Sequence, residues 1–442
     1  MGPPVDPVQS DTALPPRTGV VVIGGGIAGT CCAFHLASKG IQVVLCEKGE
    51  IGAEQSSRNW GWVRKQGRDP RELPLIIDSL RQWENLNATI GAETGFRTAG
   101  ILYLCDTDAE VAEREAWLEH ARQYQLDTRL LGPDEVAALL PGATRRYKAA
   151  LYTASDGRAE PQLASPAIAE AARRRGAQLF TNCAVRGVET KAGRIAAVVT
   201  EKGRIDCSTV VLAGGAWSRL FCGNLGLSLP QLKVRSSVLR TGPVAGAPEV
   251  AAVGHGFAFR KRLDGGYSVA HGLTTHAEIV PDSFRLLFDF LPALISERRS
   301  LKLHLNQRFA AEWRTPRRWS LGEVSPFEKV RILDPDPIET DLTAARDHLA
   351  AAFPAFAGAP IAQQWAGMID VTPDAVPVIS AVPGIPGFFI ATGFSGHGFG
   401  IGPGAGRLIA DLVTGDTPIV DPSPFRWSRF TDGSRPRRHP GL

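Results

Sequence analysis

Three glycines and one acid are the residues of this chain best spaced for chemistry. Gly24, Gly26 and Gly29 spell G-x-G-x-x-G, directly after the continuous apolar run Val20–Ile23. Such a run suits a buried parallel strand. The first glycine permits a tight turn, the second lets backbone approach a pyrophosphate, and the third lets a helix pack close to the strand. Ile27 and Ala28, between the second and third glycines, belong to the same cradle. The pattern then predicts a helix over Thr30–Lys39, stopped by Gly40, and a second strand over Ile41–Cys46. Glu47 ends that strand, about 20 residues past the glycines, where a carboxylate accepts hydrogen bonds from a ribose diol. Lys48 beside it is assigned to the same contact set. An acid there favours a free 2′-hydroxyl, hence FAD or NAD over NADP.

Two further segments carry the same signature of small residues after an apolar strand. Thr209–Leu212 runs into Ala213-Gly-Gly-Ala-Trp-Ser218, where Gly214 lets backbone lie against a bulky ligand and Trp217 covers it. Val185, earlier in that block, is placed with it as a cofactor contact. Phe388–Thr392 runs into Gly393-Phe-Ser-Gly-His-Gly-Phe-Gly400, and a helix is expected over Ile401–Thr414 with Pro403 in its first turn. A helix start reached through glycines offers free N–H groups and a positive dipole end. Gly396 and Gly398 supply that approach. His397 between them is read as a contact of an isoalloxazine ring, with a loop cap as the structural alternative.

In this order the segments resemble the D-amino-acid oxidase superfamily of FAD-dependent amine oxidoreductases, over nearly the whole chain. The resemblance rests on Gly24–Gly29 with Glu47, on Ser56 and Ser57, and on Ala213–Ser218. Trp365-Ala-Gly-Met-Ile-Asp-Val-Thr-Pro-Asp374 and Gly393–Phe399 complete it, the last being most similar to sarcosine oxidases. It implies an α/β fold: a Rossmann-like FAD-binding domain of the GR2 type interleaved with an antiparallel-sheet substrate domain. It also implies oxidation of a C–N bond to an imine that water hydrolyses.

Two departures bear on the site. Sarcosine oxidases attach flavin through a cysteine in the segment matching Trp365–Asp374; here Gly367 takes that place and the segment has no cysteine, so FAD is expected to be non-covalent. Many relatives carry a carboxylate-binding arginine where this chain has Ile369, followed by Asp370. The replacement expected is Arg64, in the loop Ser57-Arg-Asn-Trp-Gly-Trp-Val-Arg64, because a guanidinium grips a carboxylate with two hydrogen bonds. Trp62 joins it as a cage residue, and Arg260 and Tyr267 are secondary candidates. The alternative for Arg64 is a structural ion pair. No acid or base is assigned, since hydride transfer from a neutral amine needs none. The expected substrate is a D-, N-methyl or cyclic amino acid, or else an amine without a carboxylate. Oxygen or a quinone is expected to reoxidise the flavin. An NAD-dependent dehydrogenase and a non-catalytic FAD-binding subunit are the rival classes.

The elements that must position these residues fall into blocks. Residues 18–90, 150–232 and 365–430 read as a discontinuous FAD-binding domain, and 91–149 and 233–364 as a discontinuous substrate domain. In the latter, Ser236–Arg240, Gly256–Arg260 and Tyr267–His271 are strand candidates, and residues 165–175 of the former a helix. Residues 1–17 read as a disordered lead-in and 431–442 as a solvated tail. At 442 residues with 44% hydrophobic and 21% charged residues, the chain has the balance of a globular protein. A net charge of +4 gives no argument for nucleic acid. Seven cysteines without a pairing rhythm and nine histidines dispersed in sequence point to neither a disulfide framework nor a metal site. No run approaches the roughly 20 apolar residues of a bilayer span, so a cytoplasmic location is expected. The stretch Phe284–Phe309, rich in Phe and Leu with Arg285, Arg298, Arg299 and Lys302, reads as a helix packed on the substrate domain or as a peripheral membrane contact.

Overall fold

The apolar strand Val20–Ile23 is buried at every residue and paired in parallel on both sides, which places it at the centre of a sheet. The computed structural model describes residues 2–272, 274–298 and 300–434. In it β1 (Val20–Ile23), β2 (Val43–Cys46), β3 (Gln178–Phe180), β4 (Thr209–Leu212), β5 (Val378–Ala381) and β6 (Phe388–Thr392) form one six-stranded sheet in the order β5-β6-β4-β1-β2-β3. Only the β5–β6 pairing is antiparallel. Three separated stretches of chain thus build one sheet. The carboxyl ends of β1, β2, β4 and β6 deliver the four segments singled out in the sequence to one edge.

Helices pack on this sheet and on one another. Helix α1 (Ile27–Ser38) starts at the glycine turn itself, earlier than expected, and nearly all of it is buried. A Cβ on Gly29 would collide with the carbonyl oxygen of Gly24, so this helix closes on β1 only because the position is glycine. Helix α2 (Leu73–Ile90) ends at left-handed Gly91. Helix α3 (Gly398–Thr414) starts at Gly398, so Pro403 lies inside the helix and not in its first turn. Gly402 and Gly406 on α3 face Ile27 and Cys31 of α1, and the missing side chains let the two helices touch backbone to backbone.

The second layer is a ten-stranded sheet. Its centre is Leu232–Thr241, which pairs with Ile361–Val371 along its whole length, Val234 opposite Ile369 and Ser236 opposite Gly367. Phe257–Lys261 and Tyr267–Ala270 follow as expected. The sheet is mostly antiparallel, with parallel joins between Ala251–Gly254 and Ile101–Cys105 and between Thr275–Glu278 and Leu301–His304. The strand Ile361–Val371, which spans residue 365, belongs to this sheet.

Other expectations change with the structure. The lead-in is not loose: the N–H of Asp11 donates to the carbonyl of Leu179 at 2.7 Å, the N–H of Leu179 donates to the Asp11 carboxylate at 2.8 Å, and Gln9 donates to Glu170. Those bonds cover β3, the edge of the six-stranded sheet, whose open groups would otherwise lack partners. Most of the C-terminal tail lies outside the described residues. The helix expected over 165–175 is Pro161–Arg174. The stretch Phe284–Phe309 is not one packed helix but short pieces, of which Leu287–Ser296 buries no residue. All seven cysteines are free and buried.

Candidate active site

A cavity of about 720 Å³ opens where the two layers meet. Its wall at one end is made by the glycine turn after β1 and the end of β2. The Ile27 N–H donates to Ser56 Oγ at 2.8 Å, which ties the short helix Gln55–Arg58 to the start of α1. Glu47 accepts from the N–H groups of Gly25 at 2.7 Å and Gly49 at 2.8 Å. Burial pushes its carboxyl up, while Lys48 and those amides pull it back. Lys48 pairs with Glu54 at 2.7 Å, and the Trp217 indole N–H donates to both oxygens of Glu54 at 3.0 Å. Lys48 also lies 4.5 Å from the Trp217 ring centre. Val185, Gly214 and Arg331 line the same part. An acid held by backbone amides, a lysine and an aromatic face are the groups that would hold an adenosine, and the start of α1 suits its pyrophosphate.

The remaining wall is polar and cationic. Trp60, Trp62, Arg64, Arg68, Tyr103, Arg114, Ile369 and the loop Phe394–Gly400 line it. Arg64 donates to the carbonyl of Gln66 and stands 5.6 Å from the Tyr103 ring centre. Arg68 donates from Nε to the carbonyl of Arg64 at 3.2 Å, while its Nη1 is buried without a partner. Burial and the neighbouring Arg64 push its guanidinium down to about 9. His397 is 3.0 Å from the carboxylate of Glu72, and both burial and Arg68 lower its affinity for a proton. The indole nitrogen of Trp62 is also buried and unpartnered. Unsatisfied donors of this kind are costly unless a ligand takes them up.

The expected site residues divide cleanly. Gly24, Gly26, Ile27, Ala28, Glu47, Lys48, Ser56, Val185, Gly214, Trp217, Gly396, His397 and Gly398 line the cavity, as do Trp62 and Arg64. Gly29 acts through packing, behind the cradle. Ser57 is fully buried and its hydroxyl donates to the Glu54 carbonyl, so it supports the turn. Arg260 is no substrate ligand: it is 1% exposed, its Nη1 is 2.6 Å from Glu160, and its Nε donates to the Trp60 carbonyl at 2.6 Å. Tyr267 is buried in the substrate sheet, its hydroxyl donating to the Pro248 carbonyl at 3.0 Å. Alternating strand residues point to opposite faces, and both of these fall on faces filled by the protein itself. Asp370 is a buried knot, accepting from Gly393 N–H at 2.7 Å and Gln231 at 2.9 Å.

Sequence reasoning missed Glu54, Arg68 and Glu72. The i, i+4 spacing of Arg68 and Glu72 before a helix was the available signal. It also missed a spatial gathering of histidines: His276 lies 2.8 Å from His304 and 2.6 Å from Asp341, and His348 stands 6.1 Å from His255 and 6.4 Å from His271, ring to ring. Among the described residues no set of three or more ligands is arranged to hold a metal.

The profile of the family described as FAD dependent oxidoreductase (DAO) matches residues 19–412. The chain belongs to the DAO family. Glycine oxidase of Pseudomonas putida is 27% identical over 417 residues, which span 92% of this chain and 97% of that one. Mouse dimethylglycine dehydrogenase is 27% identical across 96% of this chain but only 46% of its own greater length. Among solved structures, the L-amino acid deaminase from Proteus myxofaciens, in complex with anthranilate, superposes with a TM-score of 0.94 at 36% identity, covering 97% of each chain. The family membership makes the protein an FAD-dependent oxidoreductase of amine donors, and the chemistry of the cradle described above suits the adenosine and pyrophosphate of that cofactor.

Proposed function

We propose that this DAO-family enzyme oxidises the C–N bond of an α-amino acid, with non-covalently held FAD as the first electron acceptor. The observation that carries this reading is the placement of Arg64 and Trp62 on the wall of the chamber that also holds the Gly24–Ala28 cradle and the Phe394–Gly400 loop. A carboxylate gripped by Arg64 therefore sits in the flavin's own chamber. Bound FAD supplies a two-electron acceptor for the hydride on the carbon next to nitrogen. The protein's residues orient that carbon and exclude water from it. The product imine takes up water and gives ammonia, or an amine, and a carbonyl compound. Gly367 stands where a flavin-linking cysteine would be needed, and a Cβ there would meet Arg58 at 3.2 Å. Likeness to the L-amino acid deaminase, at 36% identity and a TM-score of 0.94, favours L-amino acids over the D-enantiomers and N-methyl amino acids as substrates. Anaerobic bleaching of the bound flavin, screened across L-, D- and N-methyl amino acids, tests this. A protein that holds FAD and is bleached by none of them is a non-catalytic subunit.

A second observation supports a quinone as the acceptor. Phe288 is 86%, Leu305 73% and Trp313 69% exposed, and Phe284 and Ile295 lie in the same segment. Scattered apolar residues on a surface are ordinary, whereas a segment this rich in them marks a contact. With Arg285, Arg298 and Lys302 interspersed, the segment suits an anionic lipid surface, where a quinone would reoxidise the flavin. The segment supports a peripheral contact with the inner face of a membrane. No helix among the described residues is long and apolar enough to cross one.

A further inference from the structure

The proposed reaction gives the pair formed by His397 and Glu72 no role, yet the two are hydrogen-bonded and Glu72 is buried. Glu72 is fully buried, directly before α2, and one of its oxygens meets Nδ1 of His397 at 3.0 Å. A carboxylate only accepts, so Nδ1 carries the proton and Nε2 of the neutral ring is left as an acceptor. His397 lines the cavity at the amino end of α3, between Gly396 and Gly398. The adenosine and pyrophosphate groups account for the wall around Glu47 and Gly24–Ala28, which leaves the His397 wall for the ring. The charged groups facing His397 are Arg68 and Arg64, from the loop after Val63, and Glu72. The positive end of α3 adds to the two arginines. Burial and those cations keep the imidazole neutral, while Glu72 opposes them. The balance is poised to change when a negative charge arrives beside it.

We propose that His397, oriented by Glu72, takes up a proton each time the flavin gains two electrons. Hydride adds to the ring and brings one negative charge; one proton from solvent binds Nε2 of His397; the chamber therefore gains two electrons and two protons with no net charge. Glu72 is a positioning residue in this scheme, holding the tautomer and offsetting the imidazolium. The inference rests on the reading of His397 as a ring contact, and its test uses no amino-acid substrate, so failure of the substrate assignment leaves it standing.

The test is the pH dependence of the midpoint potential of the bound flavin, measured on the holoenzyme by chemical reduction against reference dyes between pH 7 and 9. Each proton taken up with two electrons shifts the potential by about 30 mV per pH unit, the value of a tenfold change in a two-electron couple. The wild-type enzyme is expected to show about 59 mV per pH unit over part of this range, bending to about 30 mV once His397 no longer takes a proton. His397→Gln should give about 30 mV throughout. Glu72→Gln, which keeps an acceptor for Nδ1 but removes the charge, should move the bend to lower pH by one unit or more. Retention of the flavin absorbance shows that each variant is folded. A wild-type slope of 30 mV across the range, or a slope near 59 mV surviving in His397→Gln, overturns the proposal. A bend left in place by Glu72→Gln removes Glu72 from it.

Discussion

Replacing Arg64 with Ala separates a substrate-binding arginine from a structural one, because the two roles differ in size. In the structure Arg64 makes one hydrogen bond to the Gln66 carbonyl and one contact with the Tyr103 ring at 5.6 Å. A bond of that kind is worth about 1 kcal/mol and the ring contact about 0.5–1 kcal/mol. Loss of stability should therefore stop at about 2 kcal/mol. If the guanidinium grips the substrate carboxylate, losing it costs about 2–5 kcal/mol of binding or transition-state stabilisation. That is about 30-fold to several thousand-fold in kcat/KM. Arg64→Lys should recover only part, since an ammonium lacks the two-pronged geometry. The assay is steady-state turnover of a bleaching amino acid by variants with full FAD occupancy, paired with displacement by a non-reacting carboxylate. Wild-type binding of that carboxylate should perturb the flavin spectrum, and Arg64→Ala should lose it. A kcat/KM within about twofold of wild type would refute the assignment. Arg68, buried beside it with an unpartnered Nη1, would then be the next cation on this wall to test.

Acid precipitation should release all flavin to the supernatant, since Gly367 offers no linking thiol; flavin retained in the pellet shows a covalent bond elsewhere. Gly29→Val should abolish FAD binding, because the new side chain meets the Gly24 carbonyl, and flavin fluorescence on purification reads the loss. Glu160→Gln leaves Arg260 buried without its countercharge and should cost about 3–5 kcal/mol of stability, seen as a lowered denaturation midpoint, with KM unchanged. Liposome flotation should retain the wild-type protein on anionic vesicles and lose the Phe288→Glu, Leu305→Glu double variant. No flotation of the wild type, with stoichiometric peroxide formed under oxygen, would make the enzyme an oxidase.

The cofactor half of the site was legible in the sequence because its constraints are local and steric. A Cβ at Gly29 meets backbone that cannot move, and a strand buried on both faces must be apolar at every position, so Val20–Ile23 and its glycine turn announce themselves. Strand ends converge on one edge by topology alone, which is why Ala213–Trp217 and Phe394–Gly400 could be joined to that turn without a structure. The substrate half obeys no such rule. Arg260 sits on a correctly expected strand, yet its role depends on Glu160, a hundred residues away, which neutralises it. Arg64 and Arg68 are equally basic in sequence, and only the packing shows that one is tied to a carbonyl through Nη1 while the other is left with that nitrogen bare.

The same contrast explains where the chemistry of this enzyme can vary. A wall of glycines and one acid held by backbone amides would be fixed by the dimensions of the cofactor. The facing wall is assembled from side chains on the loop after Val63, the strand Ile361–Val371 and the loop before α3, elements joined by hydrogen bonds and ion pairs rather than by a shared backbone register. Substituting Ile369 for an arginine there does not disturb the sheet, because Ile369 still pairs with Val234. The charge that an arginine there would provide can come from Arg64, which lines the same cavity. If Arg64 holds the substrate carboxylate, the position of that one cation would set which hydrogen of the amino acid faces the ring, and so which enantiomer reacts, at little cost to the fold.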